Sequence, residues 1–595
     1  MSETTLLTLP PETLFQILTY LTRPDLCASV LVSRAWSTTF TPHLWSNLQL
    51  RAVPRQPPRD HHWDVLHDQR EPWFMKLKRS ILAGGLARNG HLVRTFVCGY
   101  YGAVELLAEY GGTCVGLKEL AVGSEVDPGV PFSETMPDMD LTPLVTVLER
   151  NSQLRRVKLI GRMLDERHPG FGKLLRAIPA SVEDLELKKW DLLRGKRKFH
   201  FQIANDIANG IQSDKDDDKD GGYVSNTEEI GYDAATSPRF PRLKRLALHS
   251  YGVDINKRTL EYVLTHSPNL ETLRLQDSGQ PIPLKFLTQL LSLHCPRLIN
   301  LHVLDWHTLL DAELAGLLDV CKAGWRILGL PQNYYYEHHF GPLSTAALLR
   351  HAPTLENVRL DGSWRLPSIT MQQLLSSAPN LKRLDAISKD RSYSCNFNMD
   401  AQDIVNGADW VCTGLGSLKI QIGGIPRPDI KTHMNGRPFD APQDLLHQST
   451  TTMTASRAIQ HKVYTQLSRL TNLRQLILGH DDVERENGCE EREAHSEGEY
   501  YERKATIENG YQYECLEMTL DSGLGLLGSL KGLRKLEIDA MALGEWSAEG
   551  RERDERWKEE NWRELERHIW MEWERRVEKK YSDHFWFHLG YLSYY

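Results

Sequence analysis

The sequence of 595 residues has few of the patterns that mark a secreted, membrane-spanning or disulfide-bonded protein. Its first residues contain no basic segment followed by an apolar one, so we expect no secretory signal. No stretch approaches the roughly 20 apolar residues that span a bilayer, so we expect no membrane association. The nine cysteines are scattered and form no Cys-x-x-Cys pair. Such a set indicates reduced thiols in the cytoplasm or the nucleus.

Catalytic and cofactor-binding motifs are also missing from the sequence. There is no Gly-x-Ser-x-Gly, His-Glu-x-x-His or P-loop motif, and no cysteine–histidine arrangement that would supply a nucleophile. Gly523–Gly528 has the glycine spacing of a dinucleotide loop, but the strand phrases on either side lie too close for its βαβ unit. The acidic run 216–221 resembles a calcium loop but has Thr227 where the chelating glutamate belongs. We therefore expect no cofactor, no metal and no enzymatic activity of the chain itself.

Length and charge narrow the remaining classes of protein. The chain is far longer than the roughly 100–200 residues of one domain, which predicts several domains or a long repeat array. Charged residues make up 25% of the sequence and hydrophobic residues 41%, as in ordinary globular proteins. The net charge of −8 argues against bulk binding to nucleic acid, which needs a basic surface.

Three short helices are predicted in the first fifty residues. Prolines at 10–11 suit a first helical turn, Asp25 can cap a second helix after Pro24, and Thr41-Pro42 signals a third start. Helices of this size bury too little apolar surface to be stable alone, so we expect a partner to cover part of it. The apolar residues are Leu14, Ile17, Leu18 and Leu21 on the first helix, Leu26, Val30, Leu31 and Trp36 on the second, and Leu44, Trp45 and Leu48 on the third.

This region resembles the F-box. The residues that carry the resemblance are Leu9, Pro10, Glu12, Leu14, Ile17, Leu18, Leu21, Asp25, Leu26, Leu31, Val32, Arg34, Trp36, Pro42, Leu44 and Trp45. Ser33 departs from the family, which often has cysteine there. The resemblance implies binding to the Skp-type adaptor of a cullin–RING ubiquitin ligase. By the same resemblance, the residues that supply or support the adaptor-binding surface are Leu9, Pro10, Leu14, Ile17, Leu21, Leu26, Leu31 and Trp36. The alternative is a plain three-helix core without a docking role.

A short phrase, Leu-x-x-Leu-x-Leu, repeats from about residue 90 onward. Between residues 243 and 381 its copies follow one another at steps of 27, 28, 27, 30 and 26 residues. Such a phrase at periods of about 20–29 residues is the signature of leucine-rich repeats. The clear copies begin at residues 117, 154, 182, 243, 270, 298, 325, 355, 381, 415, 473 and 533, and weaker copies begin at 92 and 515.

The phrase alternates apolar and polar residues, as a strand with one buried face requires, and the spacers between copies carry a helical pattern. One repeat cannot bury its apolar face alone, so neighbouring repeats are expected to stack. The sequence therefore predicts an α/β solenoid: a three-helix F-box, a leucine-rich-repeat horseshoe with a parallel concave sheet, and a helical cap. The divergent copies resemble those of fungal members of the F-box/leucine-rich-repeat family.

The predicted domain boundaries follow from where this rhythm starts and fails. We expect an F-box at 5–50, a helical linker at 51–89, repeats at 90–540, and a capping helix with an aromatic tail at 541–595. Inserts near 190–240, 423–457 and 481–514 are either target-binding loops on one rim or disordered segments. The apolar face formed by Trp562, Leu565, Ile569 and Trp573 indicates a helix that either caps the last repeat or binds a partner.

These patterns together predict a substrate-recognition subunit of an SCF-type (Skp–cullin–F-box) ubiquitin ligase, which works by holding a target protein near activated ubiquitin. The alternative is a scaffold that binds an adaptor without ubiquitin transfer. Exposed arginines and aromatic residues are typical interface anchors. The residues predicted to bind the target from the concave strands are His249, Arg274, Gln276, His302, Trp306, Arg359, Asp361 and Trp364.

Overall fold

The computed structural model consists of two compact units, Met1–Leu298 and Ile299–Tyr595, and each is described by itself. The residues that the structure describes are 9–50, 78–99, 101–123, 140–161, 170–189, 239–250, 257–277, 283–304, 310–330, 338–360, 364–386, 399–425, 450–478, 516, 519–538 and 548–561. Most of the inserts predicted near 190–240 and 423–457 lies outside this set, namely residues 190–238 and 426–449. The predicted insert 481–514 and the apolar face of residues 562–573 lie outside it entirely.

The first unit begins with three helices, α1 (Pro11–Tyr20), α2 (Arg23–Ser29) and α3 (Arg34–Ser46). Prolines stand in the first turns of α1 and α2, where a missing N–H costs nothing. The predicted limits of the second and third helices were wrong. Helix α3 already starts at Arg34 because Ser33 caps it, accepting a hydrogen bond from the amide of Trp36 at 3.2 Å. Consequently Trp36 belongs to α3, and Pro42 lies inside α3 instead of starting it.

Seven parallel strands follow one another in chain order in the first unit. They are β1 (Asn47–Leu50), β2 (Thr95–Cys98), β3 (Glu119–Val122), β4 (Arg156–Ile160), β5 (Asp184–Lys189), β6 (Arg245–Ser250) and β7 (Thr272–Asp277). The α-helices between them are Gly85–Asn89, Tyr101–Tyr110, Thr142–Arg150, Phe171–Ala177, Lys257–Thr265 and, after β7, Leu284–His294. Residues 78–82 are also helical.

The second unit has seven more parallel strands of the same kind and two short strand pairs. Its strands in chain order are β8 (Asn300–Leu304), β9 (Ile327–Leu330), β10 (His338–His339), β11 (Asn357–Leu360), β12 (Trp364–Arg365), β13 (Arg383–Asp385), β14 (Met399–Asp400), β15 (Ser417–Ile420), β16 (Ile422–Gly423), β17 (Gln475–Leu478) and β18 (Lys535–Ile538). The short pairs are β10 with β12 and β14 with β16. The α-helices are Asp311–Leu318, Pro342–His351, Ser368–Ser377, Ala401–Asn406, Thr450–Ser468 and Ala548–Asn561.

Leucines at equivalent positions of successive strands form the core of each unit. In the second unit Leu384 lies opposite Leu418 and Leu418 opposite Leu476, and all three are fully buried. Burying one leucine side chain stabilises the fold by about 1.5–3 kcal/mol. Because every strand donates such residues to the same layer, the core runs continuously along the sheet of each unit.

Asparagines just before the strand phrases connect neighbouring repeats. The side-chain amide of Asn269 donates to the carbonyl oxygen of Pro241 at 2.7 Å, and that of Asn380 donates to Pro353 at the same distance. Asn472 makes the equivalent bond to Thr413 at 2.9 Å. Each bond satisfies a carbonyl one repeat back, so the asparagine ties two turns of the solenoid together.

The predicted α/β solenoid is confirmed: the clear copies of the phrase each contain a strand of a parallel sheet. Two features differ from the prediction. The chain is already helical from Thr450, so the insert predicted at 423–457 is shorter at its carboxyl end. Strand β1 lies inside the region predicted as F-box alone, and it contains Leu48, which was predicted on a helix face. Trp45-Ser-Asn-Leu48-Gln-Leu50 is itself a copy of the repeat phrase.

Candidate protein-binding surfaces

The first three helices leave large apolar side chains in contact with solvent. Tyr20 at the end of α1 is 86% exposed, and Leu31 and Val32, between α2 and α3, are 84% and 62% exposed. Ile17 on α1 is also exposed. Exposed apolar side chains of this size are typical of a surface that binds another protein. We call these four residues the apolar cluster.

The predicted adaptor-binding residues divide into exposed and buried sets. Pro10, Ile17 and Leu31 are exposed, whereas Leu26 is only 8% exposed and belongs to the core of the module. Leu26 therefore supports the surface from inside. The half-buried members are Leu9, Leu14, Leu21 and Trp36. Sequence reasoning did not single out Tyr20, and it named Val32 only for the resemblance and not among the adaptor-binding residues.

Capping interactions fix the turn that precedes α2. The hydroxyl and the amide of Thr22 both donate to Asp25, at 2.5 Å and 2.8 Å. These two hydrogen bonds, the hydroxyl bond first, lower the pKa of Asp25. Inside the module the rings of Trp36 and Phe40 pack 5.4 Å apart, and Phe40 is buried. The turn carrying Leu31 is thus held between a capped helix and a packed aromatic pair.

The three-helix module continues into the repeat sheet without an intervening residue. Helix α3 ends at Ser46 and β1 begins at Asn47, where it pairs with β2 in parallel register. The carbonyl oxygen of Ser46 accepts a hydrogen bond from the amide of Arg94 at 2.8 Å. Trp45 packs so closely on Gly85 that a Cβ there would lie 3.0 Å from its ring. The module is therefore joined to the first repeats by packing and by backbone hydrogen bonds.

The outward side chains of the first unit's strands pair with one another across the sheet. Arg156 on β4 contacts Glu119 on β3 at 3.3 Å and Asp184 on β5 at 3.5 Å. Asp184 also contacts Arg245 on β6 at 3.1 Å. Two residues further along β4 and β5, Lys158 contacts Glu186 at 3.1 Å. Opposite charges thus alternate from strand to strand.

The residues predicted to bind a target fall in both units. In the first unit Arg274 is exposed, and half-buried His249 lies opposite Gln276 in the strand register. In the second unit His302 lies opposite Gly329, which lies opposite exposed Arg359. A Cβ on Gly329 would be 2.6 Å from the ring of His302, so this glycine makes room for the imidazole.

Four predicted target-binding residues have no side chain among the described residues. Trp306 and Asp361 lie outside the described residues, and Trp364 is described only as backbone in β12. The same holds for the side chain of Gln276 in β7. The assignment of these residues to a target surface stays a prediction.

A buried polar network around Trp410 was missed from the sequence. Its indole N–H donates to Gln372 Oε1 at 2.7 Å, and its amide donates to Gln466 Oε1 at 3.2 Å. Gln372 in turn donates to the carbonyl oxygen of Ala408 at 2.6 Å. This network joins three successive helical segments of the second unit across the insert, so its role is structural.

The last described helix, Ala548–Asn561, packs on the turn before β18. Arg553 contacts Asp521 at 3.2 Å, and Lys531 donates to Asn561 at 3.2 Å. In the glycine-rich run 523–528, Gly523 has a φ of 110° and separates the 3-10 helix Leu520–Ser522 from the 3-10 helix Leu524–Ser529. The predicted capping residues Trp562, Leu565, Ile569 and Trp573 follow this helix, beyond the described residues.

Buried thiols line the repeats in place of other small apolar residues. Burial raises the pKa of Cys295 and of Cys412 to about 12, which keeps both thiols protonated. Cys27 in α2 is exposed. Within the described part of the chain, no group of three potential ligands is placed to hold a metal, and no helix has the length and apolar composition to cross a bilayer.

A comparison with known protein families supports the assignment of the first module. Residues 6–51 match the family model described as F-box-like. A search of curated proteins finds no match. Among solved structures, the leucine-rich repeat-containing protein LegL7 from Legionella pneumophila is similar over 50% of this chain and 84% of its own, with 14% identity and a TM-score of 0.28. The chain thus carries an F-box-like module, and the strand register described above defines the repeats that follow it.

Proposed function

We propose that this protein is the substrate-recognition subunit of an SCF-type E3 ubiquitin ligase. The F-box-like module docks on the Skp-type adaptor, which connects it to a cullin, and the strand surface of the repeats holds the target protein. The chain itself does no chemistry in this proposal. It raises the rate of ubiquitin transfer by keeping the target close to activated ubiquitin.

The observation that carries the proposal is the apolar cluster on the F-box-like module. Leu31 and Val32 are adjacent and largely exposed, and Ser33, which caps α3, directly follows them. Covering such side chains removes apolar surface from water, which is worth about 25 cal/mol for each Å² buried. A helical adaptor with an apolar groove matches this chemistry.

The connection between α3 and β1 supports the same proposal. A subunit that positions a target needs a fixed distance between its two binding surfaces, because misplacement by about 1 Å can slow a reaction greatly. Here α3 runs directly into β1, and β1 is hydrogen-bonded to β2. The docking module and the first repeats therefore move together.

Affinity capture with a matched pair of variants tests the proposal. Leu31→Asp places a charge in the apolar cluster, and Leu293→Asp makes the same change at a leucine that is 65% exposed on a repeat helix. We expect the wild type and Leu293→Asp to capture both the Skp-type adaptor and the cullin. Leu31→Asp should capture neither, because burying an unpaired carboxylate is costly.

The alternative, a scaffold that binds an adaptor without ubiquitin transfer, gives a different pattern. It predicts capture of the adaptor without the cullin by the wild type. Equal capture by Leu31→Asp and the wild type would contradict the assigned docking surface. Leu26→Asp is a poor test, because Leu26 is buried and its replacement disrupts the folding of the module itself.

A further inference from the structure

The residues immediately before the strands of the second unit form a row along the starting edge of its sheet. In chain order Lys382, Gly416, Arg474 and Arg534 precede β13, β15, β17 and β18. The amide of Arg474 donates to the carbonyl oxygen of Gly416 at 2.9 Å, and the amide of Arg534 donates to Arg474 at 2.8 Å. Members of the row are therefore direct neighbours.

The charged side chains of earlier members of this row form ion pairs with one another. Glu356, before β11, contacts both Arg326, before β9, and Lys382 at 2.7 Å. Hydrogen bonds from Lys382 and then Arg326 lower the pKa of Glu356. The first unit repeats the arrangement, with Glu183 between Arg155 at 4.0 Å and Lys244 at 3.8 Å. One carboxylate between two cations is thus the usual pattern of this edge.

Arg474 and Arg534 break this pattern. They are exposed neighbours of the same charge, and neither forms an ion pair with any residue that the structure describes. Like charges directly across neighbouring strands destabilise a sheet. The fold therefore keeps two adjacent arginines here without an ion-pair partner among the described residues.

Small residues leave open space beside these cations. A Cβ on Gly416 would meet only the backbone oxygen of Lys382, at 3.7 Å. Ser417, the first residue of β15, donates its hydroxyl to Gln475 Oε1 at 3.0 Å. The small residues Gly416 and Ser417 therefore lie beside Arg474 and Arg534 at this edge.

We propose that this edge, which we call the arginine edge (Gly416, Ser417, Arg474 and Arg534), binds a carboxylate-rich segment of the target protein. The inference rests on the proposed function and names the chemical class of its target. Guanidinium groups pair with carboxylates through two parallel hydrogen bonds, so the two arginines can hold successive acidic residues of an extended peptide. With a net charge of −8, the chain as a whole repels long polyanions such as nucleic acid, which favours a short acidic segment.

Direct peptide binding to the full chain tests this inference. The probe is a fluorescently labelled peptide of alternating Glu and Ser, compared with the same peptide carrying Gln for Glu. We expect the Glu peptide alone to bind, with affinity that falls as salt is added. The double variant Arg474→Gln/Arg534→Gln should bind about tenfold more weakly or worse, since two charge-assisted contacts are lost.

A second double variant controls for total charge. Arg457→Gln/Lys462→Gln removes the same charge from exposed positions of the helix Thr450–Ser468 and should bind the peptide as the wild type does. Equally weakened peptide binding in both double variants would overturn the inference, because the loss would then be explained by net charge alone. Equal binding of the Gln peptide, or tighter binding of a single-stranded RNA of matched length, would also overturn it.

Two further arms of the experiment are needed. One identifies what occupies the arginine edge, and the other tests whether peptide binding is independent of the docking module. If the Glu peptide binds only after the acidic insert 481–514 is replaced by a short neutral linker, the occupant is this chain's own insert, and the inference about a target is wrong. Leu31→Asp should lose the adaptor yet keep the peptide. Loss of peptide binding in the arginine variants with intact adaptor capture, or the reverse, therefore tells the two proposals apart.

Discussion

The F-box-like module and the repeats use leucine in opposite ways. In the repeats, Leu384, Leu418 and Leu476 lie opposite one another on successive strands and are fully buried. In the module, Leu31 is 84% exposed. A repeat always has a neighbour to cover its apolar face, whereas three short helices do not. Leucines covered within the chain hold the fold, and those left uncovered are available to a partner.

The largest expected difference is in the free energy of unfolding when one leucine of the repeats and one of the F-box-like module are each truncated to alanine. Leu418→Ala removes a fully buried side chain and should lower the free energy of unfolding by about 2–5 kcal/mol. Leu31→Ala should change it by less than about 0.5 kcal/mol, because its side chain is already in water. Urea unfolding of both variants measures the difference. Similar losses in the two variants would contradict the comparison.

A smaller loss is expected where one repeat caps the next. Asp311 accepts hydrogen bonds from the amides of Leu343 at 3.1 Å and Ser344 at 2.8 Å, at the start of the following helix. Burial opposes ionisation of this carboxyl, but these bonds and that from the Ser344 hydroxyl lower its pKa overall. Asp311→Ala should lower stability by about 1–2 kcal/mol.

The matched control is Asp311→Asn, which keeps an acceptor oxygen at the same place and should lose much less. Thermal unfolding of the two variants, recorded side by side, makes the comparison. If asparagine destabilises as strongly as alanine, the capping role assigned to Asp311 is incorrect.

The asparagine bridges between repeats are expected to contribute less again. Asn380→Ala removes the bond to the carbonyl oxygen of Pro353 and should cost about 1 kcal/mol. Asn406→Ala, at the exposed end of a helix, is the control and should be close to neutral. Amide hydrogen exchange near residues 353–383 should become faster in the first variant only. An equal increase in both variants would show that the Asn380 hydrogen bond does not stabilise this region.

The smallest expected effect is a pH dependence from a buried histidine. Burial lowers the pKa of His351, against a hydrogen bond with Leu318 and the charge of Asp319, which raise it. Because the unfolded chain binds the proton more readily than the folded one, stability should fall as pH drops below about 6.5. His351→Gln should flatten that fall, and an unchanged slope of stability against pH would contradict the assignment.

The repeats were predictable because each strand carries its own signal. Alternation of apolar and polar residues at a step near 27 residues places a strand wherever a leucine phrase occurs, independently of the rest of the chain. Strand β1 was missed although Trp45-Ser-Asn-Leu48-Gln-Leu50 has the phrase, since the same residues also fit the end of an F-box helix. Two overlapping patterns at one place cannot be separated by spacing alone.

The proposed docking surface was only partly predictable for a different reason. Helical spacing shows which residues share a face but not which neighbour covers that face. Leu26 and Leu31 look equivalent in sequence, yet the packing of α2 against α3 buries the first and leaves the second exposed. The uncompensated charge of Arg474 and Arg534 depends on strand neighbours 60 residues apart, so it emerges only once the register is known.

Amide hydrogen exchange of the full chain, with and without a purified Skp-type adaptor, tests the central claim most directly. The account predicts that the adaptor slows exchange within residues 16–35, around Tyr20, Leu31 and Val32, and leaves the strands of both units unchanged. Slowed exchange confined to the strands, with no change around Leu31, would contradict it.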